Sequence, residues 1–428
     1  MQTRDLLQDL YQAALKEIDP QALINTSCRR EGDILYVHED YYDLSTYEHI
    51  YVLGSGKAAW SMAKALEDMI GPYIDYGLIV APVCAGSLEK ITCMTSDHPI
   101  PSEKSIEGAR ALMNQMNEHR SSDLFIYLLS GGSSSLIELP VEGISLDDLQ
   151  ICTDLMLKHG LKIDEINVVR KHLSSIKGGR LGECTKAEGV VLTISDVIGD
   201  DLYSIGSAPL YADTSSYEDA INILKSYEIL DQIPLSVWKV LNEGLEHVRL
   251  ETPKKPSDNI RHYLIGTNAI AKEAVSKRAL ELGFDVCTVD EEIDSDVTLA
   301  TQKMLDIGLS SKSRVIIFGG ETTVKVEGKG RGGRNQHTVL NMLKLTKEKG
   351  IDIAFLSAGT DGIDGNSDAA GAVIDTQTLE LANSKGLDID AYLKENDSYH
   401  FFKELDSLVM TGPTGTNVMD IAILIKEF

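Results

Sequence analysis

The sequence lacks the features of membrane-bound, secreted and nucleic-acid-binding proteins. No stretch approaches the roughly 18 uninterrupted apolar residues of a membrane span, and the polar first residues contain no apolar signal region. Basic residues are scarce, at 40 Lys and Arg against 66 Asp and Glu, which gives a formal net charge of −26. This imbalance argues against nucleic acid or an anionic membrane as a partner. We expect a cytoplasmic protein whose ligands are small molecules, including anions where Lys and Arg gather locally.

Cysteine patterns that hold metals or build disulfide frameworks are also missing. The six cysteines are scattered and form no C-x-x-C pair. Without a ligand quartet at suitable spacing, we do not expect a structural zinc ion. The pattern predicts reduced, mostly buried thiols in a reducing compartment.

The arrangement of apolar residues predicts an α/β protein. Short apolar runs bounded by Gly, Pro or Ser alternate with segments of helical periodicity, which is typical of parallel α/β folds. Residues 57–70 and 105–116 have the apolar face of a helix. The predicted strands are residues 49–53, 77–82, 124–129, 189–194, 263–265, 314–318, 353–356 and 422–425.

The segment 251–259 is the best candidate for a connection between domains. It contains two prolines and few apolar residues. We therefore predict one domain over 1–250 and a second over 259–428, a length that suits two domains. The sequence leaves open that the last strand packs back on the first domain.

A glycine loop with a lysine follows the first predicted strand of the α/β pattern. Gly54, Ser55, Gly56 and Lys57 lead into a helix, where backbone N–H groups and the ammonium group can bind a phosphoryl or carboxylate anion. The loop matches the G-x-G-x-x-A dinucleotide fingerprint, but no acidic residue for a ribose follows the second strand. It is also not a Walker A loop. The alternative is a tight turn with a solvated lysine.

A second polar loop directly follows the strand 124–129. Ser130, Gly131, Gly132, Ser133 and Ser134 offer hydroxyl and N–H donors at the end of a strand where ligands of parallel sheets bind. We predict that they contact substrate or phosphate. The alternative is a turn that only caps a helix.

Cations concentrate in the segment 167–182, although the chain as a whole is acidic. We predict that Arg170, Lys177 and Arg180 bind substrate or phosphate anions. The alternative is a solvated helix face.

Carboxylates follow the strand 189–194. Phosphoryl transfer uses a carboxylate to position Mg²⁺ and often one to orient the attacking hydroxyl. We predict Asp196 as a catalytic residue, and Asp196 with Asp201 as Mg²⁺ ligands. Asp200 and Asp201 can alternatively serve only to stabilise the turn.

Three further glycine-rich loops lie in the second half, at 328–336, 357–371 and 411–417. Arg334 can bind carboxylate or phosphate bidentately. The alternative is that the loop 328–336 is a flexible hairpin whose arginines are solvated. The aspartates of 357–371 are not an EF-hand, because the terminal bidentate Glu is missing. The predicted nucleotide-binding residues are Gly332, Gly333, Asn335, Thr360, Asp361, Asp368, Thr414 and Asn417.

Taken in order, these loops resemble the class II glycerate 2-kinase family, whose second half is the MOFRL domain. The resemblance spans nearly the whole chain, from 54–59 to 411–417. It implies a larger Rossmann-like first domain and a smaller α/β second domain of MOFRL type. It also implies phosphorylation of the 2-hydroxyl of D-glycerate with ATP and Mg²⁺. The residues that match those central to catalysis in such enzymes are Lys57, Asp196 and Arg334.

Some positions depart from the family pattern, and other functions stay open. His337 stands where a glutamate usually follows Arg-Asn-Gln, and 97–102 replaces a Gly-His-Pro-Val-Pro-Asp motif. We interpret His98 as bracing a proline turn, with a place in the substrate cleft as the alternative. The alternative functions are an NAD(P)H-dependent hydroxypyruvate reductase and a non-catalytic protein that binds a nucleotide or hydroxy acid. The sequence also leaves open whether the protein forms a homodimer.

Overall fold

The computed structural model describes residues 3–426. The chain divides into two compact units. The N-terminal unit consists of Ile24–Ile194 and Asp200–Ile265. The C-terminal unit consists of the residues up to Leu23, Ser195–Gly199, and the residues from Gly266 onward.

Helices and strands alternate through most of the chain. The helices are α1 (Thr3–Glu17), α2 (Pro20–Ser27), α3 (Ala59–Ile70), α4 (Glu103–Glu118), α5 (Ser133–Leu136), α6 (Leu146–Lys158), α7 (Ile163–His172), α8 (Tyr217–Ser226), α9 (Leu235–Leu245), α10 (Asn268–Glu281), α11 (Val297–Ser310), α12 (Arg334–Lys349), α13 (Thr378–Ser384), α14 (Ile389–Lys394) and α15 (Ser398–Glu404). The strands are β1 (Cys28–Glu31), β2 (Ile34–Val37), β3 (Asp40–Asp43), β4 (Ile50–Ser55), β5 (Tyr76–Ala81), β6 (Ile91–Thr95), β7 (Leu124–Leu129), β8 (Glu188–Ile194), β9 (Ile260–Gly266), β10 (Val286–Thr288), β11 (Val315–Gly320), β12 (Ile353–Gly359), β13 (Gly371–Ile374), β14 (Leu408–Val409) and β15 (Asp420–Lys426). None of these helices is both long and apolar enough to cross a membrane.

The main sheet of the N-terminal unit has the strand order β6-β5-β4-β7-β8-β9. Numbered within the sheet, this is the order 3-2-1-4-5-6 of the doubly wound Rossmann fold. Strands β4 to β8 are parallel. Every residue of β7 is buried, which explains why it reads as a continuous apolar run. The Rossmann-like prediction is confirmed, and the strand order reverses between β4 and β7.

Two smaller parts complete the N-terminal unit. Strands β1, β2 and β3 form an antiparallel sheet that the sequence did not predict. Helices α6, α7, α8 and α9 pack around a separate apolar cluster that includes Leu149, Val169, Leu224 and Val240. This helical cluster holds the cation-rich segment in place.

The sheet of the C-terminal unit is mixed. Its strand order is β10-β11-β15-β12-β13-β14, and β15 runs antiparallel to both β11 and β12. The expectation of parallel strands throughout is therefore wrong here, because a buried apolar strand has the same composition in either direction. The last strand also does not return to the first domain. It lies inside the second sheet, with Ile421, Ile423 and Ile425 fully buried.

The compact units differ from the predicted ranges 1–250 and 259–428 at both ends of the first range. Helix α1 belongs to the C-terminal unit, where it packs against α10 and buries Leu7 and Leu10. The hydroxyl of Tyr11 donates to the carbonyl of Gly359 at 2.7 Å. At the other end, β9 continues the N-terminal sheet beyond the proline-rich segment. The apolar face of a helix does not encode which core it covers.

Two of the cysteines are paired. Cys84 and Cys93 form a disulfide with their Cα atoms 6.0 Å apart, which links the loop after β5 to β6. The prediction of reduced thiols is therefore wrong for this pair, whereas the other four cysteines of the described chain are free. The pair comes together because β5 and β6 are neighbours in the sheet, a contact that cysteine spacing does not reveal.

Candidate active site

The two early glycine loops meet at the point where the strand order of the N-terminal sheet reverses. Lys57 follows β4 and Ser130 follows β7, so both lie at the carboxyl ends of neighbouring parallel strands. The amide of Lys57 donates to the carbonyl of Gly131 at 2.9 Å, and the amide of Ala58 donates to the hydroxyl of Ser130 at 3.0 Å. Ligands of doubly wound sheets bind in this crevice. The structure thus brings the two predicted loops into one site.

Glycine is required at two positions of this site. Gly56 has φ of +137°, and a Cβ atom there would lie 2.1 Å from the Ser130 hydroxyl oxygen. Gly132 has φ of +82°, and a Cβ atom there would lie 3.0 Å from the ring of His98 and 3.2 Å from Cγ of Lys57. Any other residue would separate the loops or displace these side chains.

Some of the predicted serines face inward. The Ser55 hydroxyl lies 2.7 Å from the hydroxyl of Tyr127 and 2.6 Å from that of Ser133, and all three side chains are buried. Burial raises the pKa of Tyr127, so its hydroxyl stays protonated. Ser55 and Ser133 therefore shape the crevice, whereas Ser134 and the partly buried Lys57 lie nearer to solvent. Tyr127 was missed because its position in a buried strand looks purely apolar.

Arg170 and Lys177 brace the second loop from inside the unit. Arg170 donates to the carbonyl of Ser134 at 2.7 Å and to the carboxylate of Glu138 at 3.2 Å. Lys177 forms an ion pair with the same carboxylate and donates to the carbonyl of Ile137 at 3.3 Å. Burial alone would raise the pKa of Glu138, but Lys177 and Arg170 outweigh it and hold this pKa below its usual value.

The interpretation of these cations as a solvated helix face is therefore wrong, because Arg170 is 8% and Lys177 is 1% exposed. Their direct contact with an anionic ligand stays a prediction. Glu138 was missed, since a single glutamate after an apolar run gives no sign that it pairs with two distant cations.

Arg180 also has its partners within the N-terminal unit. Its guanidinium donates to the carbonyls of Lys171 at 2.7 Å and Ser174 at 2.9 Å. It lies 3.3 Å from the hydroxyl of Tyr217. Arg180 thus ties the loop after α7 to α8, and its predicted contact with an anion stays a prediction.

A partly buried network beside Arg180 predicts acid sensitivity of the N-terminal unit. Glu251 accepts hydrogen bonds from the amide of Tyr217 at 2.9 Å and from His172 at 3.2 Å. Partial burial opposes ionisation, but these bonds and Lys254 lower the pKa of Glu251 to about 2. A carboxyl whose pKa is lower in the folded state stabilises that state above its unfolded pKa of 4.5. This stabilisation is lost as the pH falls toward about 2.

We therefore expect the free energy of unfolding of the wild type to fall more steeply between about pH 4.5 and pH 2 than that of Glu251→Gln. Urea denaturation followed by circular dichroism across this range measures the difference. Parallel curves for the two proteins would contradict the assignment.

The predicted magnesium ligands belong to different compact units. Asp201 is in the N-terminal unit, where its carboxylate accepts a hydrogen bond from Tyr203 at 2.8 Å. Asp196 is in the C-terminal unit, where its charge acts on Glu321. The described residues contain no group of three or more His, Cys, Asp or Glu arranged to hold a metal ion. Mg²⁺ bound to nucleotide phosphates needs only one or two carboxylates. Asp196 and Asp201 as its ligands therefore stay a prediction.

Arg334 is the central cation of the C-terminal unit. Its guanidinium binds Asp420 bidentately, at 2.6 Å and 3.0 Å, and contacts Glu321 at 2.8 Å. Burial raises the pKa of Glu321, and the negative charges of Asp420, Asp196 and Asp361 raise it further against the opposing effect of Arg334. The carboxylates around Arg334 hold the planar guanidinium at the carboxyl edge of β11. Sequence reasoning missed Glu321 and Asp420.

The N-terminus of α12 binds a side chain of the protein itself. The carboxylate of Asp364 accepts from the amides of Asn335 at 3.0 Å and Gln336 at 2.8 Å. Burial raises the pKa of Asp364 to about 7, although these amide bonds oppose the shift. The helix dipole further favours the carboxylate. The first amides of this helix are thus already satisfied, which sequence reasoning missed.

The three late loops come together at the edge of the second sheet where β11 and β12 end and β15 begins. The amide of Gly332 donates to the side chain of Asn366 at 2.8 Å, which joins the first loop to the second. The hydroxyl of Thr414 donates to the carbonyl of Thr360 at 2.6 Å, which joins the third loop to the second. Asp368 is exposed and pairs with Arg331 at 3.0 Å, a second contact between the first and second loops.

The remaining predicted residues lie close to these junctions. A Cβ atom at Gly359 would lie 3.3 Å from carboxylate oxygens of both Asp361 and Asp420, so Asp361 adjoins the Arg334 cluster. The Thr360 hydroxyl lies 3.5 Å from the side-chain oxygen of Asn417. Gly333 packs against Asp364. The structure thus collects most of the predicted nucleotide-binding residues within one unit.

Comparisons with known proteins identify the family. Residues 6–242 match a domain of unknown function called DUF4147, and residues 314–420 match the MOFRL family. A glycerate 2-kinase from Pyrococcus horikoshii is 39% identical over 99% of this chain and 98% of its own length. The chain belongs to the MOFRL-domain glycerate kinase family. The resemblance recognised in the sequence is therefore confirmed.

Other members of the glycerate kinase family support the fold and add one competing name. The crystal structure of a glycerate kinase from Thermotoga maritima has a TM-score of 0.86 and 34% identity, over 99% of each chain. The predicted two-domain α/β fold with a MOFRL-type second domain is confirmed. A relative from Agrobacterium vitis, 35% identical over 99% of this chain and 94% of its own, is named provisionally as a hydroxypyruvate reductase.

Proposed function

We propose that this member of the glycerate kinase family transfers a phosphoryl group from ATP to the 2-hydroxyl of D-glycerate. The products would be 2-phosphoglycerate and ADP. The observation that carries the proposal is the position of Lys57 at the junction of the two early glycine loops, where the strand order of the N-terminal sheet reverses. Full-length similarity to proteins named glycerate 2-kinase supports the choice of substrate.

Positioning and charge neutralisation account for most of the catalysis of phosphoryl transfer. Lys57 would neutralise the transferred phosphoryl group or the substrate carboxylate. The loop of Ser130 and Gly132 would surround the same anion, and the buried Glu138 cluster holds that loop in place. Asp196 would accept the proton of the attacking hydroxyl or hold the metal ion.

The C-terminal unit would bind the nucleotide. Arg334 would place its charge beside the phosphates while Asp420 and Glu321 orient the guanidinium. The junction of Thr360 and Thr414 would contact the nucleotide. Asp196 would hold an Mg²⁺ ion bound to ATP, and this ion would supply positive charge to the phosphates.

The identity of the phosphorylated product tests the proposed function. We expect a new phosphorus NMR signal when the protein is incubated with ATP, Mg²⁺ and D-glycerate, and no such signal with L-glycerate or without an acid. A phosphate on C2 couples to one proton and gives a doublet, whereas a phosphate on C3 couples to two protons and gives a triplet. A triplet would contradict the regiochemistry, and the absence of both ADP and a new signal would contradict the kinase.

The name of the Agrobacterium relative favours a second candidate, a hydroxypyruvate reductase. Such an enzyme needs a group that binds the ribose of the dinucleotide, commonly an acidic residue at the end of the second strand. The residues that follow strand β5, at positions 82–85, are instead Pro, Val, Cys and Ala. We expect no oxidation of NADH or NADPH with hydroxypyruvate. Oxidation at a rate comparable to phosphorylation would favour the reductase.

The remaining expectations stay proposals. We propose a cytoplasmic enzyme that acts on a small molecule and has no nucleic acid or membrane partner, with a homodimer open. A non-catalytic binding protein would tolerate Asp196→Asn, whereas the proposed kinase would lose turnover.

A further inference from the structure

The loop between β6 and α4 is held in one conformation on both sides of His98. The hydroxyl of Ser102 donates to the carboxylate of Asp97 at 2.7 Å. The side-chain amide of Gln150 donates to the carbonyl of Pro101 at 2.7 Å. These contacts join the loop to α6 and to the start of α4. His98 is therefore presented by an anchored segment.

The ring of His98 lies at the Lys57 site. A Cβ atom built on Gly132 would lie 3.0 Å from Cδ2 and 3.2 Å from Nε2 of this ring, and 3.2 Å from Cγ of Lys57. The imidazole and the lysine thus adjoin the same glycine of the second loop. No residue of the described chain forms a hydrogen bond with the His98 ring, although the loop around it is well bonded. A histidine that only braced a proline turn would need no such position.

The neighbours of His98 favour the neutral imidazole. Burial of the ring and the positive charge of Lys57 lower the pKa of His98 below its usual value. A neutral imidazole has one N–H donor and one acceptor. Its N–H group can therefore donate a hydrogen bond to a ligand oxygen, while Lys57 supplies the positive charge that an anionic ligand needs.

We propose that His98 contacts the hydroxy acid substrate, donating a hydrogen bond to an oxygen of its carboxylate group beside Lys57. This inference rests on the proposed function, because it requires that the protein binds a hydroxy acid. It places this acid, and not the nucleotide, at the Lys57 site. A site built to donate to a particular substrate oxygen discriminates strongly against ligands that lack it. His98 would thereby select hydroxy acids whose carboxylate lies as close to the attacking hydroxyl as it does in D-glycerate.

Binding of D-glycerate in the presence of saturating ADP and Mg²⁺ tests the inference without phosphoryl transfer. We expect His98→Ala to weaken binding by about tenfold to a hundredfold in calorimetry, the usual effect of losing a hydrogen bond to a charged group. His98→Asn keeps an N–H donor and should recover part of the affinity. Ile100→Ala is the matched control, because its side chain lies on the same loop and is 65% exposed.

Steady-state kinetics give a second readout. His98→Ala should raise KM for D-glycerate and leave KM for ATP unchanged. A rise in KM for ATP alone would place His98 at the phosphoryl group and overturn the inference. Equal losses of affinity in His98→Ala and Ile100→Ala would also overturn it, since both would then act through the loop. Unchanged affinity in His98→Ala would overturn this inference alone, whereas a wild type that binds no D-glycerate would overturn the proposed function as well.

Discussion

Replacing Lys57 with alanine is expected to lower kcat of glycerate phosphorylation by about a hundredfold to a thousandfold, which corresponds to about 2.7–4 kcal/mol of lost transition-state stabilisation. The reason is positional. The amide of Lys57 bonds to Gly131, so its side chain starts at the junction of the two early loops. In the alanine variant, no lysine charge neutralises the phosphoryl or carboxylate anion that we propose binds at this junction. Product formation measured by coupled assay and by phosphorus NMR checks the effect.

Lys64→Ala is the matched control for this prediction. Lys64 lies on the same helix, α3, where it forms an exposed ion pair with Asp68. Its loss should change neither kcat nor the melting temperature appreciably, since exposed pairs of this kind contribute about 0.3–0.5 kcal/mol. Turnover that survives Lys57→Ala unchanged would remove Lys57 from the mechanism.

Replacing Glu138 with glutamine is expected to lower the free energy of unfolding by about 3–5 kcal/mol. The variant leaves Lys177 and Arg170 buried without their counter-ion, and the desolvation of these charges is no longer offset. Because Arg170 also holds the carbonyl of Ser134, the second loop should loosen and activity should fall with stability. Urea denaturation followed by circular dichroism measures the change.

Asp154→Asn is the control for an exposed carboxylate. Asp154 pairs with Lys158 on α6 with 60% of its side chain exposed, so its loss should change the free energy of unfolding by less than about 1 kcal/mol. The double variant Glu138→Gln/Lys177→Met should recover part of the loss, because one buried charge is removed together with its partner. A Glu138→Gln protein as stable as the wild type would show that the cluster does not support the loop.

The early loops were predictable from sequence for a physical reason. Glycines and hydroxyl residues that directly follow buried apolar runs lie at the carboxyl ends of parallel strands, where ligands bind. Lys57 and Ser130 were found in this way, and the structure places their loops in contact. The approach of His98 to Gly132 could not be predicted, because it depends on a loop from the edge strand β6. That loop follows no predicted strand, so no local pattern indicated the contact.

Charged groups were harder to interpret than glycines. Arg170, Lys177 and Arg180 looked like anion-binding residues because the rest of the chain is acidic. Their partners are far away in sequence, as Glu138 is from Lys177, and only folding makes them neighbours. The same holds for Asp364, whose carboxylate occupies the start of α12.

The sequence by itself determined the α/β class, the order of most strands along the chain, the glycine loops that end them, and the family. These properties are encoded locally, in apolar runs, turn residues and short motifs. Only the tertiary structure decided the direction of β15, the unit to which α1 belongs, the Cys84–Cys93 pair, and which cations are neutralised by buried carboxylates. Each of these depends on contacts between residues distant in sequence, and burial and Coulomb energies at such contacts follow from packing and not from composition.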